Sequence, residues 1–414
     1  MKAGWGSAER DGIEARQLAR LQSLVGELIP ANRFYNAKLA PMGVPSSLAE
    51  FRSQAPFTTK AELIRDQAAH PPWGTNLTYP LDRYTRFAQT SGTTGMPMRW
   101  ADTPQSWEWM LATWRRVYEA AGVDAADRIF FAFSFGPFLG FWTAFEAATQ
   151  IGALCIPGGG MRSGARLRVI ADTGVTVLCC TPTYAVHLAE AAAAEHIDLA
   201  RTSVRMLIVA GEPGGSIAGT RGRLRELWPG AAIVDQHGMT EVGPVTYQCP
   251  AREGVLHVYE EAYLPEIING ELVLTNLGRT GSPLLRYRTG DLVQQTAADR
   301  CVCGSWEMGF EGGIIGRTDD MVVVRGVNVY PSAVEDIVRA CGGVAEYRVH
   351  VSMDRSMVEL RMEVEPEGAQ DDSLGQRLET AMRDSLALRI PVTIVPAGAL
   401  PRFEMKARRW VVIR

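Results

Sequence analysis

Between residues 128 and 238 the chain alternates short apolar runs with helical stretches, and this rhythm restricts the fold more than any other feature. RIFFAFSF, ALCIP, VTVLCCTP, RMLIVAGEP and AAIVDQHG are separated by FWTAFEAATQIG, ARLRVIADTG, YAVHLAEAAAAEH and GTRGRLRELW. Strand and helix in alternation imply parallel βαβ units with helices on both faces of a sheet. Ligands of such sheets bind outside the carboxyl ends of the strands. Those ends carry SFGPFLG, PGGGMRSG, TPTY, AGEP and QHGMTE. The glycine-rich and polar segments therefore gather on one edge, which is the candidate site.

The flanks read differently. The first hundred residues are mainly helical, with a sharp break at APFTTKAELIRD. From Gly254 short strands and tight turns (VLHVY, PEIING, ELVLTNL, LLRYRTGDLV) predict a β-rich subdomain, and after GRTDDM strands and helices alternate again in a small α+β unit. The predicted class is α/β: a large N-terminal domain over 1–318 with a parallel βαβ sheet and a β-rich subdomain, then a small α+β C-terminal domain over 319–414. A chain of 414 residues is long for one domain.

A formal charge of -4 and a pI near 6.0 give no nucleic-acid footprint. The first residues lack an apolar run of signal-peptide type, and no later segment gives eighteen clean apolar residues, so a cytoplasmic protein with no membrane partner is expected. Seven cysteines, two of them adjacent at Cys179 and Cys180, do not make a secreted disulfide framework. Reduced thiols or metal ligands are the alternatives.

Three constellations carry chemistry. TSGTTGMPM (residues 90–98) combines glycines, which permit close approach, with hydroxyls beside exposed backbone N–H groups; it suits phosphate oxygens, and its competitor is a flexible polar turn. It is not a Walker A loop, since Met96 and Pro97 follow Gly95, and GGGMRSG fails the dinucleotide spacing. In SFGPFLGFW, Phe135, Phe138, Phe141 and Trp142 surround Gly136 and Gly140: aromatic walls and a glycine floor for a flat ring, or ordinary core. Cys249 and His257 in CPAREGVLH, with Cys301 and Cys303 in CVCG, offer sulfur and imidazole from two hairpin-like segments. They fit a closed structural zinc site, with unligated cysteines as the alternative.

TSGTTG, AGEP, HGMTE, YRTGD and GRTDD, in that order, resemble the core motifs of the adenylate-forming (ANL) superfamily, which joins carboxylic acids to ATP and then to thiols. PFTTKAELIRD, VTVLCCTPTYAVHLAE and RTDDMVVVRGVNVYPSAVED resemble its phenylacetate-CoA ligase branch, and the similarity runs from residue 16 to residue 414. The resemblance implies an ANL-type fold whose C-terminal domain is mobile. It implies an ATP- and Mg²⁺-dependent ligase that activates an aromatic carboxylic acid as the acyl-AMP and passes it to coenzyme A. A related enzyme delivering the aryl group to an acyl carrier protein thiol or an amine stays open. So does a non-catalytic nucleotide-binding or zinc-ribbon interaction protein, and so does the oligomeric state, a homodimer included.

The resemblance also implies roles, position by position. Thr90, Ser91, Gly92, Thr93, Thr94 and Gly95 match the phosphate-binding loop, where Met96 stands in place of the usual lysine. Thr240 and Glu241 match the catalytic threonine and the magnesium-associated glutamate, a hard oxygen ligand. Gly211, Glu212 and Pro213 would lie against adenine, Asp235 would accept from its exocyclic amine, and His237, before Gly238, replaces a tyrosine that stacks on the purine. Asp291 with Arg317 would hold the ribose. Lys406 matches the lysine that reaches the adenylation site, here with Phe403 and Met405 where serine and glycine are usual. Asp319 is at the hinge position and Gly326 beside the pantetheine tunnel. Phe135, Gly136, Phe138 and Gly140 would line the acyl pocket. A subset of this branch carries a similar Cys/His set.

Overall fold

The computed structural model describes residues 10–90, 97–297, 300–324, 327–354, 357–368, 371, 373–403 and 407–413. The fold is α/β of the ANL type, with parallel strand pairs, a β-rich subdomain and an α+β C-terminal portion. The chain forms two compact units, residues 1–160 with 234–313, and residues 161–233 with 314–414.

In the first unit, the helix Arg10–Ala31 buries Ile13, Gln17, Leu21, Leu24, Val25 and Leu28, a stripe at three- and four-residue spacing. Three shorter helices follow, Arg33–Leu39, Leu48–Gln54 and Lys60–Ala69. Each starts on a side-chain cap: Asn32, Ser47, and Thr59 in a reciprocal box with Glu62. The capping box is the physical meaning of TTKAE in the break noted above. Leu21, Leu24, Leu28, Tyr35 and Phe51 form one core with Leu264, Leu277 and Leu285, which seats these helices on the β-rich subdomain.

That subdomain is a six-stranded sheet in the order Thr246–Gln248, Val255–Val258, Gly309–Arg317, Tyr287–Gln295, Glu271–Asn276, Tyr263–Ile268. Glu271–Asn276 is buried at every residue, while Tyr287–Gln295 alternates in and out, as a strand with one face in the core should. The long helix Pro104–Ala121 begins on Thr103 with Pro104 in the first turn and stops at Gly122, whose φ of 68° an L side chain rarely adopts. Arg128–Phe131 pairs in parallel with Leu154–Pro157.

In the second unit, Val177–Cys180 pairs in parallel with Met206–Ala210, and every residue of both strands is buried. Their uninterrupted apolar reading follows from burial on both faces. The C-terminal sheet has the order Val392–Ile394, Met357–Pro366, Val344–Asp354, Trp410–Val412, with an antiparallel hairpin flanked by parallel strands. Val334, Val338, Leu374, Leu378 and Met382 from the helices Pro331–Cys341 and Leu374–Leu386 share its core with Val349, Leu360, Met362 and Val364.

Residues 161–233 are compact with residues 314–414. Gly219 in the helix Ala218–Leu227 explains the grouping. Its N–H donates to Asp336 Oδ1 at 2.8 Å, and a Cβ there would lie 2.9 Å from the Asp336 carbonyl and 3.0 Å from Arg339 Cβ. Only glycine allows two helices this approach.

Arg409 anchors the C-terminal sheet. It donates to Glu346 at 2.6 Å and to Glu335 at 3.1 Å, and its guanidinium lies 5.1 Å from the Tyr347 ring centroid. Burial alone would raise the Glu335 carboxyl, but Arg409 and Arg339 hold it down at about 2, against an ordinary value of 4.5. A depressed carboxyl contributes stability in full above its unfolded value and loses it as pH falls towards the folded one. Thermal melting of the full chain is thus expected to fall between pH 4.5 and pH 2, and Glu335→Gln should flatten that fall. Arg409→Met should cost about 3 kcal/mol at neutral pH, since it takes the guanidinium from buried Glu346 and leaves Glu335 with Arg339 and Tyr347 only among the described partners.

Candidate functional site

HGMTEVGP folds as a tight hairpin. Gly238–Met239 pairs antiparallel with Gly243–Pro244, leaving Thr240, Glu241 and Val242 at its tip. A Cβ on Gly238 would lie 2.8 Å from the Gly243 carbonyl, so the crossing admits no side chain. Its outer carbonyls are held by buried donors from elsewhere in the unit. Arg279 Nη1 donates to Thr240 O at 2.9 Å and to Glu241 O at 2.7 Å, while its Nε and Nη2 fork onto Asp102 at 2.6 and 2.7 Å. The guanidinium sits 5.3 Å from the centroid of Trp100. Asn276 Nδ2 and the Tyr263 hydroxyl donate to Val242 O at 3.1 and 2.8 Å.

Glu241 is buried, and its Oε1 lies 3.2 Å from the ammonium of Lys60, a half-exposed residue in the first turn of the helix Lys60–Ala69. None of Arg279, Asp102, Asn276, Tyr263 and Lys60 stood out in the sequence. The one signal was a charged residue set among apolar and glycine neighbours in TNLGRTG.

His237 and Asp291 are brought together. His237 Nε2 lies 2.9 Å from Asp291 Oδ2, with both side chains largely buried. A carboxylate acceptor makes Nε2 the protonated nitrogen, and Nδ1 is buried with no partner among the described residues. The His237 backbone is fixed as well: its N–H donates to Thr246 Oγ1 at 2.9 Å and its carbonyl accepts from Gln236 Nε2 at 2.6 Å. Asp235 Oδ1 accepts from the Gln236 N–H at 3.0 Å. The pair expected at purine and ribose thus forms one hydrogen-bonded unit.

Thr90 closes the mouth of its loop. Its N–H donates to Met98 O at 3.0 Å, and its Oγ1 accepts from the Met98 N–H at 3.0 Å. Ser91, Gly92, Thr93, Thr94, Gly95 and Met96 lie outside the described residues, as do Gly326, Met405 and Lys406. In the aromatic segment the rings pack on one another. Phe135 lies 4.4 Å from Phe133 and 4.7 Å from Trp142 between centroids, Trp142 Nε1 donates to Gly136 O at 3.1 Å, and a Cβ on Gly136 would meet the Phe138 ring at 3.2 Å. Gly140 has a φ of 29°, outside the range common for L residues. In the second unit Gly211 turns the chain with a φ of 95°, ahead of Glu212 and Pro213, and Arg317 makes a two-pronged ion pair with Asp319 at 2.8 and 3.0 Å.

Cys249, His257, Cys301 and Cys303 form a cluster whose ligand atoms all lie within 4.8 Å of one another. Cys249 Sγ is 3.5 Å from Cys301 Sγ, and Cys303 Sγ is 3.6 Å from His257 Nε2. Tetrahedral zinc with sulfur at its usual bond length separates ligand atoms by roughly 3.5–3.8 Å. His257 Nδ1 lies 3.1 Å from the Glu307 carbonyl, which makes Nδ1 the donor and leaves Nε2 free to ligate. Burial lowers the imidazole to about 4, keeping it neutral. The residues present fit a metal ion.

Two family models match: AMP-binding enzyme over residues 87–271, and AMP-binding enzyme C-terminal domain over residues 326–414. The chain belongs to the AMP-binding enzyme family, the adenylate-forming enzymes. Its likeness to acid-CoA ligases extends along the whole chain. It is 29% identical to the phenylacetate-coenzyme A ligase of Thermus thermophilus, covering 98% of this chain and 97% of the relative, and 28% identical to that of Escherichia coli, covering 99% and 96%. A crystal structure of 2-hydroxyisobutyryl-CoA ligase in the postadenylation state, with R3-HIB-AMP, matches at TM-score 0.93 and 26% identity, covering 99% of this chain and 91% of that one. The same ligase in the thioesterification state matches at TM-score 0.73 and 26% identity, covering 98% and 91%.

Removing Arg279 leaves Asp102 buried without its fork and two hairpin carbonyls without donors. Arg279→Met should lower stability by about 3–5 kcal/mol, and Arg279→Lys should recover little because an ammonium cannot serve both ends. Chemical denaturation of the three proteins checks both expectations.

Proposed function

We propose that this protein is an ATP- and Mg²⁺-dependent aryl-acid:coenzyme A ligase. The observation that carries the reading is the rigid hairpin presenting Thr240 and buried Glu241, in a chain with end-to-end likeness to phenylacetate-CoA ligases. In the first step the acid's carboxylate attacks the α-phosphorus of ATP and pyrophosphate leaves; in the second, the coenzyme A thiol attacks the acyl carbon and AMP leaves. Charge grows on the departing pyrophosphate, so the first step needs fixed cations and donors. Thr90 to Gly95 and Thr240 serve the phosphates, and Glu241 would hold Mg²⁺, which would supply positive charge to the phosphates. Gly211, Glu212, Pro213, Asp235, His237 and Gly238 surround adenine, and Asp291 with Arg317 takes the ribose. Lys406 bridges the acid oxygen and the α-phosphate.

The domain division at 318 and 319 belongs to this reading. Residues 319–414 turn about Asp319, withdrawing Lys406 after adenylation and bringing Gly326 to the thiol path. The ring cluster of Phe135 and Trp142, with Gly136, Phe138 and Gly140, supports an aromatic acid, since flat rings pack edge and face against it. The Cys249, His257, Cys301, Cys303 cluster would hold structural Zn²⁺, since the chain itself offers four sulfur and imidazole ligands, the number a closed structural site uses.

ATP–pyrophosphate exchange over benzoates, aminobenzoates, hydroxybenzoates, phenylacetates, cinnamates and 2-hydroxyisobutyrate tests the acid. Exchange confined to 2-hydroxyisobutyrate would remove the aryl assignment. Free coenzyme A and a holo carrier protein, compared as acceptors of the activated acid, test the thiol. Lys406→Ala should abolish adenylation yet retain thioester formation from supplied aryl-AMP; equal loss of both halves would contradict a lysine used in one orientation.

For the metal, about one zinc per chain is expected by elemental analysis. Cys301→Ser should lower zinc content and melting temperature together, because bound metal is folding free energy in such sites. A metal-free protein whose melting ignores chelation would remove the zinc.

A further inference from the structure

The AGEP segment has an engagement that its resemblance to an adenine-binding motif does not predict. Glu212 follows the buried strand Met206–Ala210, and its two carboxylate oxygens are used separately. Oε1 accepts from the Thr183 N–H at 2.9 Å, and Oε2 accepts from the Ala407 N–H at 3.0 Å. Thr183 is in the first turn of the helix Pro182–Ala194, where backbone N–H groups lack intrahelical acceptors and the helix dipole favours an anion. Thr181 already takes the neighbouring N–H of Tyr184 at 3.1 Å. One oxygen is thus seated on the helix, which aims the other at the amide joining Lys406 to Ala407.

The same segment is tied down on both sides of that amide. Arg402 pairs with Glu190 on the same helix at 3.2 Å and with Glu365 at 2.6 Å, and Arg409 is fixed by Glu346 and Glu335. These bonds fix Arg402 and Arg409, and Glu212 holds the backbone between them at Ala407.

We propose that Glu212 is a positioning residue: seated on the helix N-terminus, its carboxylate clasps the amide between Lys406 and Ala407 and sets the point from which the Lys406 side chain reaches the adenylation site. This rests on the reading of Lys406 as the adenylating lysine. The side chain's chemistry is specific to the task. Aspartate is one methylene too short to span both amides, and glutamine keeps only one accepting oxygen.

The test combines two readouts on the full chain for wild type, Glu212→Gln, Glu212→Ala and Lys406→Ala. Hydrogen–deuterium exchange of the peptide covering residues 402–410 should quicken by about tenfold in Glu212→Ala, with an intermediate effect in Glu212→Gln and none in Lys406→Ala. ATP–pyrophosphate exchange, with the acid selected above, should lose about tenfold in kcat in Glu212→Ala, a larger change than any in the KM for ATP, since both side-chain oxygens are bonded to protein amides and their loss frees the segment that carries Lys406. Unchanged amide exchange would overturn the clasp. A raised KM for ATP with kcat held would overturn it too, returning Glu212 to the nucleotide. Wild type without acid-dependent pyrophosphate exchange, or Lys406→Ala that still adenylates, would sink the ligase or lysine reading, and the amide-exchange arm would still decide the clasp.

Discussion

The Asp102–Arg279 pair holds together the part of the molecule on which the candidate chemistry depends. Both side chains are essentially removed from solvent, at 1% and 0% exposure, and a buried ion pair is costly unless its remaining hydrogen bonds are made. Here they are made. Two of the guanidinium nitrogens fork onto the carboxylate, Nη1 also reaches two carbonyls, and the Trp100 ring covers the cation. One side chain therefore links the strand Arg99–Asp102, the turn after Glu271–Asn276 and the hairpin tip carrying Thr240 and Glu241. The hairpin's shape is held by these bonds and by the glycines at Gly238 and Gly243, where a Cβ would collide.

A second polar chain runs from the Cys/His cluster to the N-terminal helices. The Glu307 carbonyl fixes His257, the Glu307 carboxyl is bonded to the Tyr247 hydroxyl, and its other oxygen accepts the Glu260 N–H at 3.0 Å. Glu260 in turn binds Arg10 at 2.6 Å and Gln17 at 3.0 Å. Burial raises the Glu307 carboxyl, which marks how little solvent reaches this chain. The ends of the first unit's sequence are thereby connected through groups whose bonds are local and directional, beside a leucine-rich core that is neither.

The strands and their faces were legible because periodicity reports which way a residue points. The runs around Val177 and Met206 read as continuous apolar segments, and the structure buries every position of both. The Cys/His set was legible because few residue types can ligate a soft metal and all four stood within two short segments. Pairings across the sequence were not. His237 and Asp291 are 54 positions apart, Asp102 and Arg279 are 177 apart, and Glu212 and Ala407 are 195 apart. Nothing in local composition tells one surface-type residue from one whose partner arrives by folding. Resemblance supplied roles for His237, Asp291 and Glu212 singly, and could not supply the bonds that join them to each other or to backbone.

The closure at Thr90 and Met98 has a consequence for the loop it bounds. Two bonds across one residue pair fix the width of the loop's mouth independently of what the loop contains. The strands Arg86–Gln89 and Arg99–Asp102, which pair antiparallel, are thus joined directly through this residue pair as well. Both bonds are made by Thr90 and Met98 themselves, one of them backbone to backbone, so the geometry of the neck is insulated from the identity of the residues it encloses.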